Sequence, residues 1–311
     1  MKKLGRILGG AIALFGGMIP VALAAQRPVY VLSGQTDAVA TVVAGRVVST
    51  TPTGGYPVAV ARVQQTLLVL NHDAGNIAMF TIAGTHLTPK NTWVATDTHP
   101  VAMAAQGRHV YVVANGRIDA YHANARGVID APAQSLPGPC DPSAVGIIGQ
   151  VLVVLSVKDH TLTQYGIRPQ GLTPEGRVSV GRFPSALATA GDALYVADDT
   201  PAGRVFGYRL EDGRLRQVSR TVVGAYPTAV AANGDHLYVL EPATDTVSVY
   251  RQHEGQMGSS SVHMTTDGLI LAATDRGALV ATQDGRLMAF RGGAAKEVCA
   301  HAAVMPTAIV E

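Results

Sequence analysis

The sequence predicts an all-β fold, a seven-bladed β-propeller, on the basis of three observations. The first is a motif that is clearest in residues 183–198 and 226–241, where an aromatic residue, a proline and an apolar strand precede a turn and Leu-Tyr-Val. The second is its period, because successive copies lie 38 to 43 residues apart. The third is the spread of 17 Pro and 34 Gly over 311 residues, which indicates many turns and no long helices. Repeats of about 40–45 residues with several short strands are typical of propeller blades.

Each copy can be aligned on one position, which we call the anchor. The anchor is a glycine in one copy and a proline in the other six: Pro57, Pro100, Pro142, Pro184, Pro227, Gly268 and Pro306. In the best-preserved copy the first strand begins at the anchor (Pro227–Ala231), a turn follows, and the second strand is Leu237–Leu240. An alternating third strand, Val247–Tyr250, and a weaker fourth strand complete the unit.

The two ends of the chain complete each other. Residues 305–310 have the sequence of a first strand without a second, and Val29–Leu32 has that of a second strand without a first. We therefore predict that the C-terminal strand closes the first blade within one domain over residues 25–311. Closure removes the exposed sheet edges that an open array would leave.

Aromatic residues recur in register with the anchors. One aromatic residue lies 21 to 24 residues after each of six anchors: Phe80, Tyr121, Tyr165, Tyr208, Tyr250 and Phe290. Three more lie 11 residues after their anchors, and Tyr30 has the matching place in the closing blade: Tyr111, Tyr195 and Tyr238. We predict that these rings pack between blades rather than stack on nucleic-acid bases.

Residues 1–24 have the features of a cleaved signal peptide. Lys2, Lys3 and Arg6 precede a short apolar run, Ile7–Ile19, and Ala22-Leu-Ala is a small-x-small cleavage site. The run is shorter than the roughly 20 residues that a membrane-spanning helix needs. We therefore expect a periplasmic or secreted protein without a stable membrane anchor, beginning at Ala25.

The charge of the chain does not favour nucleic acid as a partner. The whole chain has 24 basic and 22 acidic residues, and cleavage of the signal peptide leaves 21 basic and 22 acidic residues. A nearly neutral protein lacks the net positive charge that attracts phosphate backbones.

Two rings of residues border one face of the predicted propeller, which we call the channel-mouth face. The pre-anchor ring consists of the residues directly before the anchors: Tyr56, His99, Asp141, Phe183, Tyr226, Asp267 and Met305. The strand-end ring consists of the polar residues after the second strands, Ser33, Asn71, Asn115, Ser156, Asp198, Glu241 and Thr282, and it is extended by His72, Asp73 and Asp199. Aromatic rings with a few convergent polar groups are typical of small-molecule and peptide sites. The candidate ligand-contacting residues are Tyr56, His72, His99, Asp141, Phe183, Asp198 and Tyr226. The alternative is that the aromatic residues only pack on adjacent blades and the polar residues only bind loop backbone.

The repeats resemble those of the lactonase-like and YVTN-repeat seven-bladed propellers. The resemblance is carried by Leu194-Tyr-Val-Ala-Asp-Asp, by residues 204–215 and by residues 237–250, and it extends over nearly all of the chain after residue 24. It implies the fold, whereas function depends on the site.

The lactonase resemblance also implies a catalytic His, Arg and Glu on one face. The His position is Ser185 here, the Arg position is Thr228, and only Glu241 is retained. Proton transfer in the manner of the family therefore lacks two of its three groups.

Cys299, His301 and Met305 offer soft ligands of the kind that copper prefers, although the sequence favours the alternative, a weak last strand with incidental Cys and His. The other cysteine, Cys140, lies three blades away, so a disulfide with Cys299 is geometrically poor.

The leading hypothesis is a non-enzymatic binding or scaffold protein, a monomer without a cofactor, which takes a small molecule, a protein or a peptide at the channel-mouth face. The alternative is a lactone hydrolase with a rearranged site around Glu241, in which His72 or His99 carries protons. A third hypothesis is a metal-binding redox accessory that uses Cys299, His301 and Met305.

Overall fold

The computed structural model describes residues 27–96, 99–264, 267–275, 277–291, 294–299, 302 and 306–310. The described residues form seven four-stranded antiparallel sheets. The first strand of each sheet contacts the first strands of the two neighbouring sheets, so the sheets form a ring. This arrangement is a seven-bladed β-propeller and confirms the predicted fold. The predicted signal peptide, residues 1–24, lies outside the described residues.

The strands of each blade run in order from the centre of the ring to its outer edge. Blade 1 consists of β28 (Pro306–Val310), β1 (Val29–Ser33), β2 (Ala38–Val43) and β3 (Arg46–Pro52). Blade 2 consists of β4 (Pro57–Val63), β5 (Thr66–Asn71), β6 (Asn76–Ala83) and β7 (His86–Ala95). Blade 3 consists of β8 (Ala102–Gln106), β9 (His109–Ala114), β10 (Arg117–His122) and β11 (Gln134–Pro137).

The remaining blades follow the same order. Blade 4 consists of β12 (Pro142–Ile148), β13 (Val151–Ser156), β14 (Thr161–Arg168) and β15 (Gly171–Ser179). Blade 5 consists of β16 (Pro184–Ala190), β17 (Ala193–Asp198), β18 (Arg204–Glu211) and β19 (Arg214–Val222). Blade 6 consists of β20 (Ala229–Asn233), β21 (His236–Glu241), β22 (Thr246–His253) and β23 (Gln256–Met264), with a short 3-10 helix at Pro242–Thr244. Blade 7 consists of β24 (Gly268–Thr274), β25 (Gly277–Thr282), β26 (Leu287–Arg291) and β27 (Ala294–Cys299).

The C-terminal strand closes the ring as predicted. β28 pairs antiparallel with β1, and the register places Val31 opposite Ile309 and Leu32 opposite Ala308. Blade 1 is therefore built from the two ends of the described chain.

The core lies between the blades, because each cluster of buried side chains combines residues of adjacent sheets. Tyr208 of blade 5 shares a cluster with Leu155 and Leu162 of blade 4. Tyr30 of blade 1 shares one with Leu67 and Phe80 of blade 2. The predicted packing of aromatic rings between blades is confirmed at these positions. None of the described residues belongs to a helix long and apolar enough to cross a membrane.

Candidate functional site

The channel-mouth face is built from two kinds of loop. One joins the second and third strands within a blade, and the other joins the fourth strand of a blade to the first strand of the next. The strand-end ring lies at the start of the first kind and the pre-anchor ring at the end of the second.

The side chains of the strand-end ring are buried. Six of the predicted residues are the last residues of their second strands and are at most 2 % exposed: Ser33, Asn71, Ser156, Asp198, Glu241 and Thr282. Asn115 differs from these six, because β9 ends at Ala114 and Asn115 lies directly after its strand, as predicted, exposed in the following turn.

Glu241 illustrates what these buried groups do. Its Oε1 accepts a hydrogen bond from the backbone N–H of Gly224 at 2.7 Å. Its Oε2 accepts hydrogen bonds from Thr246 Oγ1 at 2.8 Å and Ser248 Oγ at 2.7 Å. A Cβ added at Gly224 would lie 2.5 Å from the Glu241 Cδ, so the loop before the anchor fits closely on the carboxylate. Glu241 therefore fastens this loop to its own blade.

The same connection recurs in other blades with other residue types. Asn71 Nδ2 donates to the Thr53 carbonyl at 2.8 Å, and Ser156 Oγ donates to the Cys140 carbonyl at 2.7 Å. The Phe183 N–H donates to Asp198 Oδ1 at 2.6 Å. In each case the strand-end residue binds the backbone of the loop that leads to the first strand. Asp198 is thus buried, and its Oδ1 is engaged by the backbone of the incoming loop.

Most residues of the pre-anchor ring have a left-handed backbone conformation. Five of its members have left-handed φ angles between 48° and 56°: Tyr56, His99, Asp141, Tyr226 and Asp267. Left-handed non-glycine residues are uncommon and concentrate at functional sites. Met305, the last predicted member, lies outside the described residues.

Hydrogen bonds hold this backbone from both sides. The Tyr56 carbonyl accepts from the N–H of His72 at 2.9 Å in its own blade, and its N–H donates to Asp37 Oδ1 of blade 1 at 2.7 Å. The N–H of Asp141 donates to Asn115 Oδ1 of blade 3 at 2.9 Å. Sequence reasoning missed the role of Asp37 and Asn115 as acceptors for the next blade. An Asp or Asn in the loop after a second strand is the signal that could have revealed it.

The aromatic side chains of the pre-anchor ring reach solvent. Tyr226 is 45 % exposed and Phe183 is 38 % exposed, and the Arg182 guanidinium lies 5.4 Å from the centre of the Phe183 ring. A large exposed ring on a fixed backbone can contact a ligand with little loss of conformational entropy.

The structure brings three of the candidate residues together at the junction of blades 2 and 3. The ring centroids of His72 and His99 are 5.0 Å apart, and those of His72 and Tyr56 are 6.3 Å apart. The Nδ1 of His72 lies 2.9 Å from the Pro100 carbonyl oxygen. This cluster, which we call the His72 cluster, consists of Tyr56, His72 and His99.

The positions that the lactonase resemblance associates with His and Arg are occupied by small hydroxyl side chains. Ser185 Oγ donates to the carbonyl of Pro227 at 2.8 Å, which joins blades 5 and 6 at their anchors. This hydrogen bond gives Ser185 a structural role.

The predicted soft-ligand group cannot be assembled from the described residues, because His301 and Met305 lie outside them. Cys299 is buried, and burial raises the pKa of its thiol. Cys140 is exposed, and both cysteines are free thiols. Among the described residues, no group of three or more His, Cys, Asp or Glu side chains could hold a metal ion.

Sequence reasoning also missed a second histidine pair. His109 and His122 lie opposite each other on β9 and β10, at the other face of blade 3, with ring centroids 4.9 Å apart. Aligning the two strands across the Asn115-Gly116 turn would have placed them together.

The ring of seven four-stranded blades defines the class of this protein as a seven-bladed propeller with an aromatic and imidazole-bearing channel-mouth face. Solved structures of the same class include a provisionally named 6-phosphogluconolactonase from Bacteroides fragilis, with a TM-score of 0.75 at 14% identity over 94% of this chain and 99% of that one. A protein of unknown function from Desulfotomaculum acetoxidans has a TM-score of 0.75 at 13% identity over 91% and 99%. These likenesses show the propeller fold that this chain shares with lactonase-like proteins. No protein-family model matches the chain, and no curated protein matches its sequence.

Proposed function

We propose that this protein is a periplasmic or secreted binding protein that takes a small molecule or a peptide on its channel-mouth face. The observation that carries the proposal is the contrast between the two rings of that face. The Glu241 carboxylate is 2 % exposed and accepts two hydrogen bonds from its own blade and one from the incoming loop, whereas Phe183 and Tyr226 present exposed aromatic side chains.

This contrast favours binding over catalysis. A general base must reach the substrate within hydrogen-bond distance, and a buried carboxylate with three donors is poorly placed to do so. Exposed aromatic rings beside carboxylate, amide and imidazole groups are suited to fixing and orienting a ligand.

The binding experiment is calorimetric titration with a panel of sugar lactones, their ring-opened acids and short aromatic peptides. We expect at least one compound to bind without turnover, and its affinity to fall at least about tenfold in Phe183→Ala or Tyr226→Asn. Asparagine is chosen at position 226 because it tolerates the left-handed φ of 54°. Trp93→Ala is the matched control, since Trp93 is 66 % exposed on the outer strand β7 and belongs to neither ring. Equal losses in all three variants would count against the proposed surface.

The rival function is lactone hydrolysis, which the likeness to a provisionally named 6-phosphogluconolactonase favours. Proton release on the same lactones tests it directly. Turnover by the wild-type protein that disappears in Glu241→Gln, while the variant remains folded at the assay temperature, would overturn the binding proposal.

The proposed location rests on residues 1–24. Mass spectrometry of the protein isolated from the cell envelope or medium should show a chain that begins at Ala25. An intact Met1 in that fraction would contradict cleavage.

A further inference from the structure

We infer that His72 and His99 bind a divalent first-row transition-metal ion at the junction of blades 2 and 3. The inference rests on the proposed function, because the ion would form part of the same ligand-binding face. It differs from the soft-ligand hypothesis, since both donors here are imidazoles and neither is a thiol.

The hydrogen bond of His72 fixes which ring nitrogen is available. A carbonyl oxygen can only accept, so the 2.9 Å contact with the Pro100 carbonyl requires that Nδ1 carry the hydrogen. The neutral ring then presents an unprotonated Nε2. Histidines that bind metal ions usually donate their other N–H to a carbonyl or carboxylate, which orients the ring and raises its basicity. His72 has this arrangement already.

The distance between the two rings suits a shared ion. Nitrogen-to-metal bonds of 2.0–2.1 Å at a tetrahedral angle place two imidazole centroids about 5 Å apart. The observed centroid separation is 5.0 Å, with an angle of 60° between the ring planes. His99 is exposed and His72 is half-buried, so the ion can enter from solvent and water can complete its coordination.

The local charge also favours a cation. Asp73 follows His72 directly and is exposed, and the carboxylate of Asp37 accepts the hydrogen bond from the Tyr56 backbone. Both are acidic groups of the loops that surround the His72 cluster. Imidazole donors are suited to Cu²⁺, Ni²⁺ and Zn²⁺, with Cu²⁺ the tightest of the three by the Irving–Williams order.

The pair His109 and His122 is an internal control for this argument. Its centroids are 4.9 Å apart, so distance alone would qualify it equally. In the part of the chain that the structure describes, no hydrogen bond orients either of its rings. Desolvation, His122 and the neighbouring Arg108 all lower the pKa of His109, and the positive charge of Arg108 repels a metal ion. The two pairs therefore differ in the hydrogen bond that fixes His72 and in local charge rather than in spacing.

The experiment titrates the protein, purified without a histidine tag, with Cu²⁺ alone and with Zn²⁺ alone by calorimetry. We expect one equivalent to bind, and His72→Gln and His99→Asn each to weaken binding at least about tenfold. His109→Gln and His122→Gln should retain wild-type affinity. Asparagine is used at position 99 because of the left-handed φ of 56°.

Electron paramagnetic resonance of the Cu²⁺ complex gives a second measurement. We expect coupling to two imidazole nitrogens in the wild-type protein and to one in each of His72→Gln and His99→Asn. No metal binding, or affinity that is retained in both of these variants, or affinity that is lost in His109→Gln, would overturn the inference. Because the probe is the metal ion alone, such a failure leaves the titration with organic ligands intact as the test of the proposed function.

Discussion

The strand-end ring and the pre-anchor ring lie side by side on the channel-mouth face, yet they differ in exposure and in hydrogen bonding. Glu241 and Asp198 of the first ring are buried and bind the backbone of incoming loops. Tyr226 and Asp141 of the second ring are exposed on a left-handed backbone that other residues hold in place. Polarity alone therefore does not identify a binding residue. The hydrogen bonds that a polar side chain already makes within the protein decide whether its donors and acceptors are available to a ligand.

The largest expected effect is the loss of stability when a residue of the strand-end ring is replaced. Glu241→Ala removes the acceptor of three hydrogen bonds and leaves a cavity, so we expect the free energy of unfolding to fall by about 3–5 kcal/mol. Urea denaturation measures it. Glu241→Gln keeps the side-chain volume and should lose less. An unchanged urea midpoint in Glu241→Ala would show that the carboxylate is not a structural element.

The next effect is the pH dependence of stability that arises from one buried hydroxyl between blades 5 and 6, that of Tyr195. Tyr195 donates to Gln252 Oε1 at 2.5 Å, and burial raises the pKa of Tyr195 to about 12. Since the folded pKa lies above the unfolded value of 10.0, this stabilisation is complete below pH 10 and is lost between pH 10 and about 12. The loss amounts to about 2–3 kcal/mol.

Tyr195→Phe isolates this contribution. Its free energy of unfolding, measured in urea from pH 9 to 12, should fall less steeply with pH than that of the wild type. Identical slopes for the two proteins would contradict the assignment to Tyr195.

A smaller effect tests how closely the loop fits on Glu241. Gly224→Ala would place a Cβ 2.5 Å from the Glu241 Cδ, and we expect a destabilisation of about 1–2 kcal/mol. Gly234→Ala in the same blade is the matched control, because nothing lies within 4 Å of its added Cβ. Similar melting temperatures for the two variants would mean that the loop can move away from the carboxylate.

The smallest expected effect is the change in stability when a residue of the pre-anchor ring is replaced. Asp141→Asn keeps a residue that tolerates the left-handed φ of 48° at an exposed site, so stability should change by less than about 0.5 kcal/mol. Differential scanning calorimetry measures this change in stability. A loss comparable to that of Glu241→Ala would remove the distinction between the rings.

The fold was predictable because the copies of the repeat can be aligned with one another on their anchors. Anchors such as Pro142 and Pro184 begin first strands as predicted, and residues 306–310 pair with β1. Asn115 is exposed, unlike the six buried residues of the strand-end ring, for a local reason. The polar residue after β9 belongs to a turn, and counting 14 positions from Pro100, as in the other blades, gives Ala114.

The candidate site was predictable only in outline. The sequence placed Tyr56, His72 and His99 on one face, but the contact between the two imidazoles depends on the loop that brings His99 from the next blade. The role of Glu241 depends on a backbone N–H 17 residues earlier, which carries no side-chain signature. Hydrogen bonds to backbone can be assigned only once the loops have a defined path.

The pairing of β28 with β1 has a consequence for the order in which the protein folds. Within blades 2 to 7 each strand pairs with strands that are near in sequence, so these sheets can form early and locally. Blade 1 must join segments separated by nearly the whole chain, which carries a larger loop-closure entropy. We expect this pairing to form last during folding and to separate first under mechanical load. The break would lie between β1 and β28, where Val31 is opposite Ile309.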